Sequence, residues 1–215
     1  MTAARGAPRV YLITDRRATN GRPLVDVVAR ALDGAGAHAA SVAVQLREKD
    51  LDARALFALA RALRAVTSQR GARLFVNDRV DVALACAADG VHLGGGALLA
   101  ADVERIAPGL QLAISTHAVA EVSRHHDATR LSFMVFGPVF ETPSKRPYGP
   151  PLGLTALRDA CATGAPVLAI GGLDGERARA CQAAGAAGVA VIRAVLSAVD
   201  HGRAMAGFFG AIEST

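Results

Sequence analysis

Short apolar, β-rich runs recur along the chain, and stretches with helical periodicity lie between them. The runs are VYLIT at 10–14, SVAVQLR at 41–47, RLFVN at 73–77, GVHL at 90–93, QLAI at 111–114, LSFMVF at 131–136, PVLAI at 166–170 and GVAVI at 188–192. Most are apolar throughout rather than alternating, as parallel strands covered on both faces should be. The clearest helical stretch is 52–66: Asp52 is placed to cap it, and Leu56, Leu59, Leu63 and Val66 share one face. Val80, Val82, Ala83 and Cys86 predict a short helix, and Asp174 opens another that Gly185 stops. Strand-helix alternation of this kind predicts a parallel sheet with right-handed crossovers. It can close as a barrel or stay open and doubly wound. No GxGxxG follows the first run, which weighs against a dinucleotide-binding open sheet. The expected fold class is therefore α/β, one (β/α)8 TIM barrel with eight parallel strands spanning 1–215. At 215 residues it is smaller than the usual ~250, so most loops must be short. One is longer: 137–153, rich in Pro and Gly, reads as a lid or clamp over a site.

Composition sharpens this only at the margins. Hydrophobic residues make up 52%, mostly Ala, Val and Leu, and Trp is absent. That excludes a disordered chain. No apolar stretch approaches the ~20 residues a membrane span needs, and Met1–Arg9 lacks the apolar core of a signal peptide, so a cytoplasmic location without a membrane partner is expected. The net charge is +5, but the basic residues are dispersed and do not interleave with aromatics. Small anionic ligands fit this better than nucleic acid. Arg54, Arg61, Arg64 and Arg70 read as solvated helix faces. Cys86, Cys161 and Cys181 are far apart and lack CxxC spacing, so they read as small buried hydrophobes.

In a barrel of this kind the active site lies at the C-terminal strand ends. Polar and reactive residues cluster there. Thr14 and Asp15 follow the first run; Gln45, Arg47 and Lys49 end the second; Asn77 and Asp78 close the third. His92 ends the fourth, Ser115, Thr116 and His117 follow the fifth, and Thr142, Ser144 and Lys145 fall in the long loop. Gly171 and Gly172 follow the seventh run, and Ile192 and Arg193 the eighth. Arg47 and Lys49, two apart on an extended strand, point to one face, which suits an anion. Salt bridges to Glu48 or Asp50 are the competing account of that pair. The loops after the seventh and eighth runs are the usual phosphate cradle of such barrels, and the helix expected after Ile192 adds its N-terminal amides. His117 is the acid-base candidate, with a structural strand-end histidine as the rival reading. Neither HxH nor HExxH occurs, so no dedicated transition-metal site is expected.

These motifs resemble the thiamine phosphate synthase superfamily over nearly the whole chain. YLITD at 11–15, QLREKD at 45–50, NDRVDVAL at 77–84, ADGVHLG at 88–94 and STH at 115–117 stand in the family's order. FGPVFETPSK at 136–145, PLGLTAL at 151–157, AIGGL at 169–173 and AGAAGVAVIRAV at 184–195 complete the match. The resemblance implies one of two activities in thiamine biosynthesis. The synthase branch joins hydroxymethylpyrimidine pyrophosphate to thiazole phosphate carboxylate; the tautomerase branch isomerises that thiazole to its aromatic form. In synthases, residues matching Gln45, Arg47, Lys49, Asn77, Ser115, Ser144 and Lys145 bind the pyrimidine and its pyrophosphate. Those matching Thr142, Gly172 and Ile192 hold the thiazole phosphate, and Arg193 stands where the family often has serine.

The two branches differ in their metal. A synthase implies Mg²⁺ held by aspartates, one matching Asp78 and one matching position 97, which is alanine here. A tautomerase implies no cofactor and proton transfer by His117 alone. Ala97 and the FETPSK form of the clamp, with Glu141, favour the tautomerase; the retained Arg47, Lys49 and Asp78 favour the synthase. The balance of the sequence tips to the tautomerase, with the synthase as the alternative and a non-catalytic phosphate binder as a third reading. The family's frequent homo-oligomers and the Ala-rich helices imply that self-association is open to this chain.

Overall fold

Residues two apart along each strand face opposite environments from their neighbours, and this alternation builds two separate cores. Tyr11, Ala43, Phe75, Ala113, Phe133, Leu168 and Ala190 pack together inside a ring of strands. Val10, Leu12, Val42, Val44, Leu74 and Val91 pack outward against helices. Both sets are buried, so period-two alternation is present although both faces read as apolar. Burying a leucine such as Leu12 or Leu74 is worth about 1.5–3 kcal/mol.

The computed structural model describes residues 6–128, 131–142 and 149–213. The strands are β1 Val10–Ile13, β2 Val42–Leu46, β3 Arg73–Asn77, β4 Gly90–Leu93, β5 Gln111–Thr116, β6 Phe133–Phe136, β7 Val167–Ile170 and β8 Gly188–Val191. They are parallel, ordered as in the chain, and closed by β8 pairing with β1, where Val10 lies opposite Val189. The expected (β/α)8 barrel is thus the fold. Its helices are α1 Leu24–Ala35, α2 Ala53–Gln69, α3 Val80–Ala85, α4 Ala100–Ile106, α5 Val119–Ala128, α6 Gly153–Ala162, α7 Gly175–Ala183, α8 Arg193–Leu196 and α9 His201–Glu213.

Local chemistry sets the helix ends as expected. The Asp52 carboxylate accepts from the Ala55 N–H at 2.8 Å, and Asp174 accepts from the Arg177 N–H at 2.9 Å. In α2 the deepest stripe is Leu56, Ala60, Leu63 and Thr67, with Leu59 and Val66 flanking it half-buried. Arg64 and Arg70 are not simply solvated: Arg64 pairs with Asp89, and Arg70 with Asp33 at 2.7 Å. Cys86 and Cys181 are buried and Cys161 half-buried, all as free thiols. Burial pushes the Cys181 thiol up to about 12, where it is inert.

Helix α9 packs against α1 through two glycines. A Cβ on Gly34 would lie 2.2 Å from the Gly202 carbonyl oxygen, so the backbones touch directly. Among the described residues, no helix is long and apolar enough to cross a membrane.

Candidate active site

The strand ends open into a cavity of about 840 Å³. Its floor is the last inward-facing residue of each strand, including Gln45, Asn77, His92, Ser115 and Ile170. Of the residues expected at the site, Gln45, Arg47, Lys49, Asn77 and Ser115 line one wall. His117, Thr142, Gly172, Ile192 and Arg193 line the same cavity. Asp78 is not on its surface but directly behind Asn77 and Gly94. Ser144 and Lys145 lie outside the described residues.

β2 ends at Leu46, so Arg47 follows it and Lys49 lies in a turn rather than on the expected strand; both are exposed, with Glu48 buried between them. The competing account, ion pairs with Glu48 or Asp50, does not hold. Glu48 accepts from the Arg16 backbone N–H and guanidinium, each at 3.0 Å. Asp50 accepts from Arg16 at 2.6 Å and from Arg17 at 2.7 Å. These bonds hold the Asp50 carboxyl well below the usual carboxylate range and raise Arg16. Among the described residues, Arg47 and Lys49 therefore have no acidic partner. Both side chains are solvent-exposed at the cavity, without an ion pair among the described residues. The Arg47 backbone is itself fixed, its N–H donating to the buried Thr14 hydroxyl at 2.9 Å.

Next to these cations lies a chain of amides with one direction. Asp78 accepts from the Gly94 N–H at 2.8 Å and from Asn77 Nδ2 at 2.7 Å. A carboxylate only accepts, so the Asn77 amide is oriented and its Oδ1 accepts from Gln45 Nε2 at 2.9 Å. Asp78 adopts φ 59°, a left-handed conformation that aspartate tolerates better than most residues.

As a site for Mg²⁺ the donor set is partial. Among the described residues no group of three or more His, Cys, Asp or Glu converges, and Gly95, Gly96 and Ala97 bring no side-chain oxygen. Asp15 is the one described carboxylate on the cavity wall. Asp78 keeps unused lone pairs on both oxygens. One carboxylate with substrate phosphates is a known way to hold Mg²⁺, so these residues fit a metal that arrives with a phosphorylated ligand.

Just past the end of β5, two residues beyond Ser115, His117 Nδ1 lies 2.6 Å from the Gly137 carbonyl oxygen, and its backbone N–H donates to Glu121 at 2.6 Å. The carbonyl can only accept, so Nδ1 is a donor, and Nε2 is the ring nitrogen not engaged by that bond. His92, inside the floor, is different. Burial, and then the charge of Arg47, push it down to about 3, so it stays neutral.

The phosphate side is refined in two ways. Gly171 and Gly172 have φ 105° and 65°, and a Cβ on them would meet Pro138 at 2.7 Å and the Glu141 carbonyl at 2.5 Å. They are needed for the β6 and β7 loops to pack together, in addition to opening the backbone to a ligand. Arg177 then pins the turn, donating to the Gly172 carbonyl at 2.6 Å. The helix expected after Ile192 is only α8, four residues long, and α9 is the last. Its dipole is correspondingly small, so any phosphate affinity rests on the unpaired N–H groups of one turn and on Arg193.

Sequence reading missed Tyr11, Ile13 and Glu48 as parts of the site's support, and Val135 and Ile170 on its wall. Counting back by twos from the ends of β1 and β7 finds Ile13, Tyr11 and Ile170; Val135 needs the inward register of β6, which Phe133 sets.

A family model described as thiamine monophosphate synthase matches residues 10–195. A thiamine-phosphate synthase of Roseiflexus castenholzii is 49% identical over 195 residues, covering 89% of this chain and 82% of the relative. One from Roseiflexus sp. is 47% identical over 197 residues, covering 91% and 81%. A solved thiamine phosphate pyrophosphorylase from Pyrococcus furiosus superposes with a TM-score of 0.85 at 34% identity, covering 96% of each chain. A closed barrel with this rim, and relatives this similar along almost its whole length, make one conclusion: the chain belongs to the thiamine monophosphate synthase family and is an enzyme of thiamine biosynthesis.

Proposed function

We propose that this enzyme is a thiamine phosphate synthase, coupling hydroxymethylpyrimidine pyrophosphate to thiazole phosphate with release of pyrophosphate. The observation that carries this reading is the pair Arg47 and Lys49, two cations lining one cavity that have no acidic partner among the described residues. A pyrophosphate needs them; proton transfer within a thiazole does not. The similarity to thiamine-phosphate synthases supports the same choice and turns the balance that the sequence had tipped toward the tautomerase.

In this mechanism the bond from the pyrimidine's methylene carbon to oxygen breaks, and its electrons leave with pyrophosphate. The thiazole nitrogen then forms the new bond to that carbon, and a thiazole carboxylate, where present, departs as carbon dioxide. Arg47 and Lys49 bind and neutralise the leaving group, with Ser144 and Lys145 assigned to it by resemblance. Gln45, Asn77 and Ser115 orient the pyrimidine. Thr142, Gly172, Ile192 and Arg193 hold the thiazole phosphate. Asp78 would hold Mg²⁺, whose charge would further stabilise pyrophosphate as it leaves.

One observation favours tautomerase activity as a second reading: His117 lines the cavity with Nδ1 held by the Gly137 carbonyl, while position 97, where the family's second metal ligand stands, is alanine. Comparing Arg47→Ala and Lys49→Ala with wild type separates the two. A synthase loses about 10–100-fold in kcat/KM for thiamine phosphate formation from either change, as expected for a charge-assisted contact. Unchanged synthase kinetics in both variants would remove the pyrophosphate role.

A further inference from the structure

The floor beneath the cavity contains a hydrogen-bonded line that the reaction as described does not use. Tyr11 is fully buried in the barrel, edge-on to Phe75 and Phe133 with centroids 5.8 and 4.9 Å away. Its hydroxyl lies 3.4 Å from His92 Nδ1. On the other side of that ring, Nε2 lies 2.9 Å from the Ser115 hydroxyl oxygen, which faces the cavity.

Direction follows from elementary donor counting. Burial raises the Tyr11 hydroxyl well above its ordinary range, so it keeps its proton, and a buried phenol proton requires an acceptor. Its partner is His92 Nδ1. His92 is 2% exposed, and an imidazole that accepts at one nitrogen carries its N–H on the other. Nδ1 therefore accepts from Tyr11, and Nε2–H donates to Ser115. With its oxygen already accepting, Ser115 has its own proton left for the cavity.

We propose that Tyr11 and His92 are positioning residues that fix the Ser115 hydroxyl as a donor, selecting a pyrimidine that presents an acceptor, such as a ring nitrogen, at that point. The ligand assignment rests on the synthase reading; the polarity of the line does not. A site set up as a donor rejects an analogue that lacks the acceptor, because the hydroxyl is left unpaired once the ligand covers it.

Two measurements test this. The first is the ¹⁵N spectrum of His92 in the free enzyme at neutral pH, which is expected to show the Nε2–H tautomer in wild type and a mixture in Tyr11→Phe. An Nδ1–H tautomer in wild type overturns the proposal and leaves the synthase reading intact. The second compares pyrimidine pyrophosphate with its two monodeaza analogues, each lacking one ring nitrogen. Wild type is expected to disfavour one analogue by about tenfold in kcat/KM. That ratio should fall toward one in Tyr11→Phe and Ser115→Ala, with no further fall in the double variant. KM for thiazole phosphate should stay unchanged. A general packing defect would lower activity and leave the ratio where it was, and that result also overturns the proposal. Absence of any thiamine phosphate from wild type would instead remove the synthase reading and its pyrimidine assignment, while the tautomer measurement still decides the polarity.

Discussion

Glu48 accepts two hydrogen bonds from Arg16, one from its backbone N–H and one from its guanidinium, each 3.0 Å long. The pair ties the turn after β1 to the turn after β2. It also keeps a buried carboxylate, 6% exposed, away from the two cations on either side of it in sequence. Four charges in a row, Arg47 to Asp50, are thus sorted into a cavity-facing positive pair and an acidic pair held by Arg16 and Arg17.

Glu48→Ala should loosen that sorting without touching a ligand. The expected result is a rise of about tenfold in KM for the pyrimidine pyrophosphate, kcat nearly unchanged, as when ground-state and transition-state binding weaken together. Steady-state kinetics with each substrate varied in turn checks this, and KM for thiazole phosphate should not move.

The metal requirement should be sensitive to position 97. Restoring a carboxylate with Ala97→Asp is expected to lower the Mg²⁺ concentration for half-maximal rate by about tenfold or more. On the proposed synthase reading, Asp78→Asn should raise it by a similar factor, because Asp78 is there one of few protein ligands. Titrating activity against Mg²⁺ reads both directly.

Stability should fall on mild acidification because of His92. Its folded value is depressed to about 3, while an unfolded histidine titrates near 6.5. Between those values the unfolded chain binds a proton that the native state refuses, so stability decreases as pH drops from 6.5 toward 3. The slope from this group alone is about 1.4 kcal/mol per pH unit inside that window. Urea unfolding at pH 7 and pH 5 should show a loss in wild type that is smaller in His92→Gln.

Gly34→Ala should destabilise the packing of α9 on α1. The added methyl meets the Gly202 backbone at 2.2 Å, and backbone cannot rotate away as a side chain would. Overpacking of this sort costs about 1–3 kcal/mol, visible as a lowered Tm with ligand affinities largely kept.

Much of the barrel was legible because strand runs and helix caps are local: Asp52 and Asp174 cap where their side chains allow, and Val10 to Ile13 read as a strand from hydrophobicity alone. The rim was legible because barrel geometry sends strand-end residues to one side, which brings Gln45, Asn77, Ser115 and His117 together. What stayed hidden depends on partners distant in sequence. Nothing near Glu48 says that Arg16 holds it, and Tyr11 reads as simple core until His92 is found beside its hydroxyl. The end of a short helix is also hard to see. Val195 and Leu196 continue the apolar pattern after Arg193, although α8 stops within a turn.

The most direct measurement follows thiamine phosphate and pyrophosphate in one reaction containing wild-type enzyme, both precursors and Mg²⁺, beside a second reaction with the thiazole precursor alone. The account predicts the two products in equal amounts, a rate abolished by removing the metal, and little isomerisation of thiazole alone. Rapid metal-independent isomerisation with no thiamine phosphate formed would contradict it.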